Sequence, residues 1–155
     1  MASDFAITFR ISDAQFPRLQ AAFNALRLAK REGAGPDADD PGWRRFFNDE
    51  ELATFWSPSP EEAEAASARW FATPIPQRFT DRSLVTRWHF ESMIDAFRNG
   101  EYDLISCTRI AGDDPSVGEL AYDPHAWPFG GTGCMRALIE AFRGIVISES
   151  PDLRA

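Results

Sequence analysis

Between Ser83 and Glu149 the apolar residues switch between two spacings, and this restricts the chain to a mixed helix-and-strand fold. Leu84, Thr86, Trp88 and Phe90 alternate, the period-two pattern of a half-buried strand. Phe90, Met93, Ile94 and Phe97 then recur at i, i+3, i+4 and i+7, one face of a helix that Asn99 and Gly100 close. Tyr102 to Ile110 and Val117 to Tyr122 read as two strands, with Asp113 to Ser116 as the turn of a hairpin. Met135, Leu138, Ile139 and Phe142 mark a second helix, from about Gly133 to Arg143 and ended by Gly144. Ile145 to Glu149 is the last strand.

Upstream, Phe5, Ile7, Phe9 and Ile11 alternate with Ala6, Thr8 and Arg10, which predicts a strand with one buried face. Phe16, Leu19, Phe23 and Leu26 form the apolar stripe of a helix over about Asp13 to Lys30. Ser12 with Gln15 resembles its capping box, although Pro17 then sits deep for a first-turn proline. Residues 32–42, rich in Gly, Pro and Asp, read as a flexible loop. Two short acidic helices follow. One is capped by Asn48 with Glu51; the other begins at Ser59-Pro60 with Glu61 and Glu62 near the positive end of its dipole. The second runs to about Ala72, and its alanine face suits close packing on the flank of the domain. The whole order is β-α-(two acidic helices)-β-α-β-β-α-β, a single α+β domain over residues 1–155. Its last six elements follow the split βαβ arrangement of ferredoxin-like folds, with a mostly antiparallel sheet. Such folds host many functions.

Charge narrows the partners. The net charge is −8, and residues 32–64 carry ten acidic and two basic side chains. A chain of this balance repels phosphate backbones, so nucleic acid is an unfavoured partner and a basic protein a favoured one. No apolar run reaches the roughly 18 residues that span a bilayer. The first ten residues also lack the basic start and apolar middle of a signal peptide, so a cytoplasmic location and no membrane partner are expected. Cys107 and Cys134 lie in apolar segments and read as reduced core thiols. Lys30 is the only lysine among 16 basic residues, a skew that a coding bias, as in a GC-rich bacterial genome, explains.

The residues that could carry chemistry cluster after the hairpin. Asp123 and His125 place an imidazole two positions from a carboxylate, which suits proton transfer and makes His125 the candidate catalytic residue. Trp127 is a rigid anchor between prolines, and Gly130, Gly131, Thr132 and Gly133 lead into a helix whose N-terminus could hold an anion. Arg109 and Glu119 from the hairpin complete this candidate ligand pocket. The loop lacks the Gly-Lys-Ser/Thr of a Walker motif and the third glycine of a dinucleotide fingerprint. Only His89 is available as a second imidazole and neither Cys belongs to a C-x-x-C pair, so no metal and no cofactor are expected. Cys134, at the first turn of the helix, would be activated only if it met His89 or His125.

Two readings result. The first is a small acidic interaction protein that engages a basic partner through residues 37–64, where Trp43, Phe46, Phe47 and Trp56 are interleaved with carboxylates. The second is a small enzyme or small-molecule-binding domain with an anion site at the Gly130–Gly133 helix start. No complete catalytic set is present, so the sequence leaves open whether the chain is an enzyme. Exposed Trp and Phe would also suit a homodimer.

Overall fold

The computed structural model describes residues 5–33, 37–38, 40–78, 80, 88–125 and 131–150. The first strand, β1 (Phe5–Arg10), leads into helix α1 (Phe16–Glu32). Ile7 and Phe9 of β1, and Ile11 just after it, are buried, as are Phe16, Leu19, Phe23 and Leu26 of α1, so both patterns face one core. The carbonyl and hydroxyl of Ser12 accept the N–H groups of Phe16 and Gln15 (3.0 and 3.3 Å). Those bonds hold a turn that delays the helix to Phe16, and Pro17 falls in its first turn, where the missing N–H costs nothing.

The remaining regular core elements are α5 (Phe90–Asn99), β2 (Tyr102–Arg109), β3 (Val117–Pro124), α6 (Gly133–Ala141) and β4 (Ile145–Ser150). Among the described residues, four strands form one sheet in the order β2-β3-β1-β4, and every neighbouring pair is antiparallel. The fold is therefore α+β, as the spacing implies. The strand read over Ser83 to Phe90 does not appear at its described end: Trp88 and His89 belong to no strand and Phe90 opens α5, while residues 81–87 lie outside the described residues. Phe90 sits at the join of two overlapping patterns. Its burial with Met93, Ile94 and Phe97 decides for the helix. The strand that takes an interior place in the sheet is β1, far upstream in sequence.

Helix α1 packs on β2, α6 on β4, and α5 fits between α1 and α6. Fully buried Leu19, Phe23, Met93, Ile94, Leu120, Met135, Leu138 and Phe142 knit these layers together. Each such side chain contributes about 1.5–3 kcal/mol relative to exposure. Helix α6 ends in a Schellman motif, with Gly144 N–H donating to Ile139 O (2.9 Å) and Arg143 N–H to Glu140 O (3.0 Å). Arg143, not Gly144, takes the left-handed conformation, at φ 68°. Gly144 is needed instead for closeness, since a Cβ there would lie 2.5 Å from Ile139 Cγ2.

Between α1 and α5 the chain inserts a 3-10 helix (Pro41–Phe46), α2 (Asp49–Leu52), α3 (Pro60–Ala72) and α4 (Ile75–Arg78). Both expected caps are present. Asn48 and Glu51 form a complete capping box on α2, and Ser59 accepts from Glu62 N–H at α3. Of the stretch read as a loop, residues 34–36 and 39 lie outside the described residues, Glu32 ends α1, and Pro41 and Gly42 already belong to the 3-10 helix. The expectation that α3 packs closely on the domain is not met: none of its residues is buried. Among the described residues no helix is long and apolar enough to cross a membrane.

Candidate functional site

The antiparallel register of β2 and β3 sets Asp103 opposite Asp123, both exposed. Like charges directly opposite on paired strands repel. His125 follows β3 and is held there by its own N–H, which donates to Glu101 O (2.8 Å). Its Nε2 lies 3.0 Å from Asp103 Oδ1, and both side chains are more than half exposed. The imidazole thus pairs with the carboxylate across the strand pair and not with Asp123, its near neighbour in sequence. Sequence alone could not find this contact, because it depends on strand register.

Trp127 and Gly130 lie outside the described residues. The hydroxyl of Thr132 donates to Glu149 of β4, at 3.3 and 3.2 Å from its two carboxylate oxygens. Arg136 donates to the same carboxylate at 2.5 Å, and Glu149 is almost fully buried. The first turn of α6 is therefore flanked by a carboxylate of the chain itself, which the helix dipole favours. Gly133 makes room for the indole of Trp88: a Cβ there would lie 2.9 Å from the ring. Glu149 and Arg136 were not among the sequence candidates. The available signal was a lone charge in an otherwise uncharged strand.

Arg109 and Glu119 lie toward the other end of the hairpin. Glu119 pairs in register with Thr8 and Thr108, about 20 Å along β3 from His125 at 3.3 Å per residue. Arg109 donates to Ile11 O (3.1 Å) and Asp13 Oδ1 (2.9 Å) and stacks on Phe16, 4.4 Å from the ring centre. It ties the end of β2 to the β1–α1 connection. His89 caps α5 by position and lies against Trp56, with ring centres 5.0 Å apart and planes tilted by 50°. Among the described residues, no group of three or more His, Cys, Asp and Glu side chains is placed to hold a metal ion.

Both cysteines are free and buried. Burial pushes the Cys107 thiol up to about 12. Burial also raises Cys134, against the opposing effects of a Tyr102 hydrogen bond (3.2 Å), nearby backbone N–H groups and the Lys30 charge. Lys30 donates to Phe97 O (2.7 Å) and Gly100 O (2.6 Å) at the end of α5, with its ammonium 4.5 Å from the Tyr102 ring centre. Burial lowers its pKa, and the Cys134 and Asp103 charges resist that. The compact ammonium, with three rotatable donors, serves both carbonyls from one point.

The acidic block divides in two. Trp43 and Phe47 are buried and Phe46 and Trp56 half-buried, so the aromatics expected to greet a partner mostly serve the core. Glu51 is fully buried and ion-paired with Arg18. The exposed remainder is α3 with α4. Glu61, Glu62 and Glu64 lie on the first turns of α3, while Phe71 and Ile75 are 73% and 65% exposed. Arg78 holds the corner between the two helices, donating to Thr73 O (2.8 Å) and Phe71 O (3.2 Å) and lying over the Trp70 and Phe71 rings. No family model matches the chain, and no curated protein or solved structure matches it either.

Proposed function

We propose that this chain is an interaction protein that binds a basic protein partner through α3 and α4. The observation that carries the reading is a 13-residue helix with no buried residue, joined to a corner that holds Phe71 and Ile75 out to solvent. A helix this short is marginal without an apolar face to bury. The three glutamates of its first turns would steer a basic surface, and the exposed Phe and Ile would supply the apolar contact. The net charge of −8 supports a basic protein over nucleic acid.

In the same reading the sheet is a split βαβ of the ferredoxin-like kind. β1 and β2 both run antiparallel to β3, which lies between them, and the acidic helices are an insertion ahead of α5. One observation favours a second reading, a small-molecule or catalytic site: the exposed His125–Asp103 pair, an imidazole positioned by a carboxylate. Glu149 beside Thr132 and Arg136 weighs against an anion at the start of α6.

The test is to capture partners with the full chain, then reconstitute each identified protein and titrate it. Affinity should fall with salt, and should drop about tenfold or more on Phe71→Ala and on joint replacement of Glu61, Glu62 and Glu64 by Gln. The same charge change at Asp49 and Glu50 should leave it unaltered. A partner indifferent to salt and to the α3 variants would overturn the reading.

A further inference from the structure

Helix α1 carries four basic side chains and one acid, in a chain of net charge −8. Two of the four are occupied. Arg18 is ion-paired with Glu51, and Lys30 serves the carbonyls at the end of α5. That leaves Arg27 and Arg31, four residues apart on one helix face, where like charges repel. Among the described residues no carboxylate pairs with either. The helix dipole favours a cation at Arg31, in the last turn, but its effect fades before Arg27. The two guanidiniums line an open groove of about 310 Å³ with Asn24 and Leu28, which complete the i, i+3, i+4, i+7 face. Arg27 is anchored: its Nε donates to Leu104 O of β2 (3.1 Å), which fixes the guanidinium and leaves its terminal N–H groups to the groove. Asn24 adds an amide, and Leu28, 58% exposed, is an apolar wall.

Charge selects the occupant. Guanidinium forks match the paired oxygens of carboxylates and phosphates, and an oxyanion between the two arginines turns their repulsion into shared attraction. The groove is at the small end of ligand pockets, roughly 300–1,000 Å³, which suits a small molecule. The net charge sets a nucleic-acid backbone aside. We infer that this face of α1 binds a small organic oxyanion, a carboxylate or a phosphate ester. Its charged end bridges Arg27 and Arg31, Asn24 donates to it, and its apolar part lies on Leu28. The site shares no residue with α3 and α4 and does not depend on the interaction reading.

Titration of the full chain with phenyl phosphate and with benzoate at constant ionic strength, followed by amide NMR, tests this. The expected result is a set of saturable shifts over residues 24–31 with at least one probe, at a millimolar or tighter dissociation constant. That constant should weaken about tenfold or more in Arg31→Gln, an exposed position whose replacement leaves the core untouched. Arg31→Lys keeps the charge but loses the fork and should recover only part of the affinity. Arg45→Gln, which removes an exposed guanidinium from the 3-10 helix, should change nothing. Saturation by phenyl phosphate alone assigns the site to phosphate esters, and by benzoate alone to carboxylates. Shifts that grow linearly with either probe, that are as large around Arg45 as around Arg31, or that survive Arg31→Gln would overturn the inference.

Discussion

Residues 40–56 and residues 59–78 share a composition and part company in the fold. Each holds more acidic than basic side chains, each has aromatic residues, and each opens a helix with a side-chain cap. The first segment is locked to the core. Phe47 meets Phe90 edge-on at 5.0 Å between ring centres and lies 4.9 Å from Phe142, while Phe55 meets Phe90 at 5.3 Å. The second segment buries nothing. The difference lies in side-chain size and placement. Trp43, Phe47 and Phe55 bring large rings that are buried, the last two against Phe90, whereas α3 offers Ala63, Ala65, Ala66 and Ala68 along most of its length and keeps its rings for the last turn. Small side chains remove little apolar area from water, so little holds that helix down.

The largest expected effect is the contrast between two phenylalanines. Phe47→Ala should cost about 3–5 kcal/mol in chemical denaturation, because it empties a site among three rings. Phe71→Ala should change stability by less than about 0.5 kcal/mol. Equal losses would show that α3 contributes to the core after all. The glutamates come next. Glu51→Ala removes one arm of the capping box and the partner of Arg18, and should cost about 2 kcal/mol, since Arg18 remains partly exposed and can hydrate. Glu61→Ala should be neutral within about 0.5 kcal/mol. Thermal melts of the two variants side by side decide this.

How much of this was legible in the sequence follows from what each feature depends on. The stripe of α1, the strands β2, β3 and β4, and the caps at Asn48 and Ser59 depend on neighbours within a few residues, and pattern alone locates them. The place of β1 in the sheet depends on a pairing with Val117–Tyr122 more than a hundred residues away, and no local pattern encodes it. Phe90 satisfied a strand period and a helix period at once, and its burial with Met93, Ile94 and Phe97 separates them. Of the candidate site, the free buried thiols followed from their apolar surroundings. The His125–Asp103, Arg136–Glu149 and Arg18–Glu51 pairs join different elements, so their geometry arises only when the sheet and helices assemble.

Capping offers a finer test of the same contrast. Asn48→Ala and Ser59→Ala each remove an N-cap worth about 1 kcal/mol. In the docked segment that loss should appear in global stability. In α3 it should appear only locally, as faster hydrogen exchange of the first-turn amides, roughly fivefold, with the melting temperature unchanged. A drop in melting temperature for Ser59→Ala would mean that α3 unfolds with the core.

The smallest effect concerns the ion pair between the docked segment and α5. Burial pushes the Glu91 carboxyl up, but its own backbone N–H, the Arg44 hydrogen bond at 2.5 Å, and the Arg44 and His89 charges outweigh it, leaving the group below its usual value. A carboxyl depressed in the folded state adds stability that is present above its unfolded pKa and lost as pH falls through the folded one. Both partners are nearly half exposed, so the contribution is a few tenths of a kcal/mol at most. Arg44→Gln should move the Glu91 titration, followed by carboxyl NMR, up toward the ordinary carboxylate range and slightly flatten the acid limb of the stability curve. Hydrogen exchange of the α3 amides should be unchanged in that variant. If it quickened, the two segments would be coupled and the division between docked and free halves would fail.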